Sequence, residues 1–154
     1  MNRTLVVKNR QRVRRVDTPL LRRITRWLLE KSLGVRDCQL CIHLVGAGEM
    51  ARVNQEFLQH AGSTDVITFD HAEADQPGLI HGELFVCLDD AVKQAKEFKT
   101  TWQSELTRYV IHGLLHLRGH DDLKPAARRV MKKEENRLLR EISREFSLPR
   151  LARQ

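Results

Sequence analysis

Apolar and polar positions change period several times along the chain, and each change predicts an element. Residues 4 to 8 contain Leu5, Val6 and Val7 and read as a first strand, followed by the Arg-rich connector NRQRVRR. Asp17 or Thr18 can cap a helix with Pro19 in its first turn. Leu20, Leu21, Ile24, Trp27 and Leu28 then recur at helical spacing until Gly34 stops it, with Arg22, Arg23 and Arg26 on the opposite side. Cys38 to Val45 alternates as a strand, and Gly46 to Gly48 turns the chain into a short helix from about Glu49 to Leu58.

After the polar loop HAGST, Asp65 to Asp70 is rich in β-branched and aromatic residues and predicts another strand. An acidic loop over residues 71 to 78 leads into a strand from Leu79 to Leu88. Asp89 or Asp90 can cap the next helix, which runs through Lys99 and is expected to bury Ala91, Val92, Ala95 and Phe98. Thr101 or Ser104 opens a further helix. Pro125 begins the last one, with Val130, Met131, Leu138, Ile142 and Phe146 facing inward and a dense set of Lys, Arg and Glu facing outward. There is no internal repeat, low-complexity linker or second domain. The expectation is an α+β fold in one metallohydrolase domain over residues 1 to 154, with a mixed sheet of about four strands covered by helices and a metzincin-like helix for a metal site.

Charge adds a second pattern. The net +7 divides into +9 for residues 1 to 36, −8 for residues 37 to 123 and +6 for residues 124 to 154. Basic ends around an acidic middle suit a polyanion gripped by both ends and delivered to a site in the middle. No apolar run approaches the roughly 18 residues of a membrane span, so no membrane is expected, the location is expected to be cytoplasmic, and no nucleotide cofactor is expected. Three cysteines make a poor disulfide framework. Cys38 and Cys41 lie three apart in a strand and so face opposite sides, and both, with Cys87, are expected to pack in the interior.

The chemistry concentrates in YVIHGLLHLRGHDD, residues 109 to 122. His112 and His116 are four apart inside an apolar helical run, which stacks their imidazoles on one face where they can share a metal. Gly119 can take the left-handed conformation that ends a helix and sends the chain back toward the same ion. The spacing after the glycine favours Asp122 as the third ligand, with His120 as the competitor by donor type. Two histidines and one carboxylate leave a coordination position open for water, which favours hydrolysis through a metal-bound water, with Arg118, His120 and Asp121 as candidate assisting side chains. Zinc, one ion per chain, suits this set, and Fe(II) or another divalent metal shares it. Gly113 stands where HExxH peptidases carry their catalytic Glu, which argues against an ordinary zinc peptidase.

The stretch IHGLLHLRGHDD resembles the signature of YbeY-type endoribonucleases. Asn54, the residues Thr64, Asp65, Val66 and Phe69 in STDVITFD, the stretch GELFVCLDDAVKQA, and Glu105 with Leu106 match the family's order and spacing. The resemblance implies a metal-dependent endoribonuclease specific for single-stranded RNA, associated with maturation of the 16S rRNA 3′ end and quality control of the small ribosomal subunit. It also implies ribosomal RNA and the small ribosomal subunit as partners. Two positions depart from the family: its third histidine aligns with Asp122, and the arginine it carries four residues after the matching Asn is Leu58 here. The alternative expectation is an RNA- or ribosome-binding assembly factor whose metal is structural and whose nuclease activity is weak or lost.

Overall fold

Alternating burial along Arg3–Asn9, Asp37–Val45, Val66–Asp70 and Leu79–Cys87 makes these segments four strands, β1 to β4, of one mixed sheet in the order β1-β2-β4-β3. The computed structural model describes residues 3–73 and 78–153, so part of the expected acidic loop, 74–77, lies outside the described residues. Strands β1, β2 and β4 run parallel, and β3 returns antiparallel to β4 along one edge. Register aligns Leu40 with Gly82, Ile42 with Leu84 and Leu44 with Val86, so the even-numbered residues of β2 and β4 share one face. That face carries the main core. Onto it pack Leu21 and Ile24 of the first helix and Leu28 just after it, Leu106, Val110 and Leu114 of the fourth, and Met131, Leu138 and Ile142 of the fifth.

The helices are α1 (Thr18–Trp27), α2 (Ala47–Leu58), α3 (Leu88–Phe98), α4 (Trp102–Leu117) and α5 (Pro125–Glu145). Asp17 caps α1 by accepting from the Leu20 amide, as expected. The helical path then widens into a π-turn over Leu28–Ser32 before the positive φ of Gly34 ends it. Thr101 caps α4 by accepting from Ser104 N–H. The expected cap of α3 is different: its N-cap is Cys87, and Asp89 instead accepts from the Ala47 amide at the start of α2, at 2.6 Å. One carboxylate thereby ties two helix starts together. Leu88 is the first residue of α3, not the last of a strand, and α2 begins two residues before the expected Glu49.

Four expectations about burial fail. Phe98 is 65% exposed and Val130 56% exposed, and Val92 and Cys41 are only half-buried. Periodicity places a residue on a helix face but does not say where along the helix its cover ends. Phe98 sits in the final turn of α3, beyond the buried Ala91 and Ala95.

The sheet order also separates the basic ends. Helix α1 packs on β1, whereas α4 packs on β3 and β4. The outer strands stand three strand spacings apart, roughly 14 Å. The strand β1 and the helix α1 that packs on it are therefore at the far edge from β3, whereas α5, rich in Lys and Arg, packs directly on the histidine helix. Among the described residues, no helix is long and apolar enough to cross a membrane.

Candidate metal centre

Helix α4 reaches the sheet closely because Gly113 has no side chain. A Cβ there would stand 2.6 Å from Leu84 Cδ2. The helix lies against β4 at the level of its two histidines, and the position after His112 faces packed leucine. At its C-terminus Gly119, at φ +97°, closes a Schellman motif: His120 N–H donates to Leu115 O and Gly119 N–H to His116 O, both at 3.0 Å. The chain then doubles back. Asp121 accepts from Leu123 N–H at 2.7 Å, and Arg128 Nε donates to Asp122 O at 3.1 Å, which fixes the loop on both sides of Asp122.

This brings His112, His116 and Asp122 together as a group that could hold a metal ion. The two Nε2 atoms are 3.1 Å apart, and Asp122 Oδ2 is 3.6 Å from each. A tetrahedral zinc with bonds of about 2.0–2.1 Å separates its donors by roughly 3.3–3.4 Å, so the triangle has the dimensions of one face of such a site.

Proton placement supports the same fit. His116 Nδ1 faces the carbonyl of His120 at 3.1 Å and must donate to it. His112 Nδ1 faces the Glu135 carboxylate at 3.0 Å and donates there. When both rings are neutral their protons sit on Nδ1, and the two Nε2 lone pairs and a carboxylate oxygen then face one another, an arrangement suited to a cation. His112 and His116 retain 27% and 28% exposure, so the open side of the triangle meets solvent.

Glu135 is the residue that sequence reasoning missed. It lies on α5, and its buried carboxylate accepts from His112 and, at 2.9 Å, from Arg108. Burial pushes its carboxyl up, but the His112 and Arg108 hydrogen bonds outweigh this and hold it below the usual carboxylate range. Burial likewise disfavours the charged form of His112, and the bond to Glu135 more than offsets it, so the imidazole sits above its ordinary value. A signal existed: Met131, Glu135, Leu138 and Ile142 form one helical stripe, and a carboxylate on an apolar stripe needs a buried partner.

The three candidate assisting side chains are placed elsewhere. Arg118 is exposed at the helix end, His120 contributes its backbone carbonyl to His116, and Asp121 is engaged with Leu123. None of the three lines the two clefts that flank the triangle. One cleft, of about 400 Å³, lies between α3, α4 and α5. The other, of about 440 Å³, runs along β3 past Thr64, Thr68, Asp70 and Leu58. Asp65, His112 and Asp122 line both, so the triangle stands where two grooves meet. Leu58 is 44% exposed at the second groove's wall, and no Lys or Arg among the described residues lines that groove. Asn54 is a structural residue: its amide donates to Gly62 O at 2.9 Å and pins the loop that leads to Asp65.

Comparison with known proteins agrees with this architecture. The family model described as Endoribonuclease YbeY matches residues 6–143. An Endoribonuclease YbeY of Phocaeicola vulgatus is 37% identical over 121 residues, covering 77% of this chain and 86% of that protein. One of Salinibacter ruber is 34% identical over 135 residues, covering 84% and 85%. The solution structure of TM1509 from Thermotoga maritima superposes with a TM-score of 0.67 at 28% identity, covering 92% of this chain and 91% of that one.

Proposed function

This chain belongs to the YbeY endoribonuclease family, and from that membership we propose that it is a metal-dependent endoribonuclease that cuts single-stranded RNA in the cytoplasm. Its target in this reading is ribosomal RNA, in maturation of the 16S 3′ end and quality control of the small subunit. The observation that carries the metal dependence is the convergence of His112 Nε2, His116 Nε2 and an Asp122 carboxylate oxygen within 4.8 Å of one another, with both Nδ1 atoms engaged by acceptors on the far side of the rings.

His112, His116 and Asp122 would hold the ion, and two imidazoles with one carboxylate suit zinc, with Fe(II) the main competitor. A divalent cation bound there supplies Lewis acidity toward a phosphoryl oxygen and brings water into its nucleophilic range near neutral pH. The chain's own contributions are positional. Glu135 fixes the tautomer and plane of the His112 ring, the His120 carbonyl does the same for His116, and the Arg128 bond to the Asp122 carbonyl holds the third donor. The partial exposure of both imidazoles leaves the approach open from the two grooves.

The test is metal content and cleavage of a single-stranded RNA by the wild type, Asp122→Ala and His120→Ala. Wild type and His120→Ala are expected to carry one ion and to cut, while Asp122→Ala does neither. Metal-loaded wild type that binds RNA but never cuts it would replace this reading with the assembly-factor one, to which the cation-free groove beside Leu58 lends support.

A further inference from the structure

The two grooves at the triangle differ in charge. Among the described residues the β3 groove has no Lys or Arg in its wall, whereas the α3–α4–α5 cleft sets Arg108, Arg128 and Lys132 beside the carboxylates of Asp65, Glu105, Asp122 and Glu135. Arg108 is committed to Glu135 and Asn136. Arg128 and Lys132 are not so confined. They lie four apart on α5, on one helical face. Arg128 uses Nε to hold the Asp122 carbonyl, with no further partner for its terminal nitrogens among the described residues. Lys132 is 63% exposed and stands 3.7 Å from Glu135. The cations that can meet an anionic backbone entering the site are thus on the α5 side.

The same cleft holds the exposed ring of Phe98. Phe98 has no aromatic neighbour among the described residues, unlike Phe57, Phe69 and Phe85, which form a run of edge contacts on the other sheet face. Beside it Gln94 gives its amide oxygen to Tyr109 O–H at 2.7 Å, which leaves the amide N–H groups to donate. An uncovered aromatic face, an amide donor and two cations within one cleft of about 400 Å³ match the parts of a nucleotide: base face, base edge and phosphate.

We propose that this cleft is a nucleotide subsite, in which a base stacks on Phe98 with Gln94 at its edge while Arg128 and Lys132 hold the adjoining phosphate next to the metal triangle. The proposal rests on the ribonuclease reading for its substrate. It gives that reading a physical source for single-strand preference, because a base inside a duplex has both faces covered by its neighbours and cannot reach the ring. The Arg128 bond to Asp122 also links phosphate capture to the loop that carries the third donor.

The experiment measures kcat and KM on a single-stranded oligoribonucleotide, and its Kd by fluorescence anisotropy with metal present, for wild type, Phe98→Ala, Phe98→Trp and the double variant Arg128→Ala/Lys132→Ala. All three positions are at the surface, and unchanged melting temperatures will verify the fold. Phe98→Ala is expected to raise KM and Kd roughly 5- to 100-fold, the range for loss of one base–aromatic stack, with kcat within about twofold. Phe98→Trp is expected to restore affinity, and single-stranded but not duplex RNA should quench its fluorescence beyond the wild-type background from Trp27 and Trp102. The double variant should weaken binding and flatten the dependence of log K on log salt by roughly 0.7 per lost cation. If the wild type cuts RNA and both Phe98→Ala and the double variant bind and cut like it, the subsite is refuted and the nuclease stands. If the wild type binds in a Phe98-dependent way without cutting, the nuclease reading falls and the subsite stands. A wild type that neither binds nor cuts overturns both.

Discussion

Two histidine clusters sit on opposite faces of the same sheet, and they differ in where their protons point. On the helix-covered face His112 and His116 direct both Nδ1–H groups outward, to Glu135 and the His120 carbonyl, and leave their Nε2 lone pairs facing each other. On the other face His43 and His71 direct Nε2 at one carboxylate, Glu83, at 2.8 and 3.0 Å. Arg10 can only donate, so His43 Nδ1 accepts from it at 3.0 Å and the ring proton of His43 is on Nε2. Glu49 in turn holds Arg10, and Phe85 stacks on His43 with ring centroids 4.3 Å apart. The second cluster satisfies itself through N–H donors aimed at a carboxylate; the first turns its Nδ1 donors away and gathers two Nε2 atoms and a carboxylate oxygen at one point. Residue type is the same in both, and hydrogen-bond polarity separates a candidate metal centre from a structural network.

The sharpest way to break this contrast is to remove one histidine from each cluster. His112→Ala should take bound metal from about one equivalent to near none and lower RNA cleavage by more than about 100-fold, beyond the loss expected from disturbing a ligand's hydrogen-bonded partner. His43→Ala should leave metal stoichiometry unchanged, as measured by elemental analysis of the purified proteins. Equal metal loss in both would erase the distinction.

Next in size are the two carboxylates. Glu135→Gln replaces the charged acceptor of His112 with a neutral amide, and metal affinity measured by chelator competition should fall roughly 10- to 100-fold. Glu83→Gln should not change it. A smaller effect is expected where the histidine helix meets the sheet: Gly113→Ala pushes a methyl group into Leu84 and should cost about 1–3 kcal/mol in denaturant unfolding.

The smallest effect concerns acid. The hydrogen bonds from His71 and His43 hold Glu83 below its ordinary value of 4.5. The stabilisation this brings is fully present above that ordinary value and is lost as pH falls through the lower folded value. Glu83→Gln carries no such loss, so its melting temperature should decline less steeply than the wild type's below about pH 4.5, and parallel declines would remove Glu83 from the acid response.

Much of the site can be read along the chain because its first parts are local. The spacing of His112 and His116, and the need for a left-handed residue at Gly119, depend on helix geometry and steric exclusion within a few residues. Asp122 is reached from the same turn, three residues on. Glu135 reads as part of an outward charged face, because a list of Lys, Arg and Glu reads as solvated until the burial of Met131, Leu138 and Ile142 beside it is known. Phe98 was assigned to the interior for the converse reason: its helical period is apolar, but the last turn of α3 runs past its cover.

What the amino-acid order determined by itself is therefore the set of strands and helices, most of their caps, and the pair of imidazoles with a turn after them. Each depends on backbone geometry, side-chain period or a hydrogen bond spanning a few residues. The folded arrangement alone decided which carboxylate orients His112 across 23 residues of sequence, which basic segment lies beside the triangle, and which aromatic ring stays uncovered. Those outcomes depend on how α5 and α3 pack around α4 and on a sheet order that sends β1 to the far edge, and contacts between distant segments are fixed by packing complementarity that no local pattern encodes.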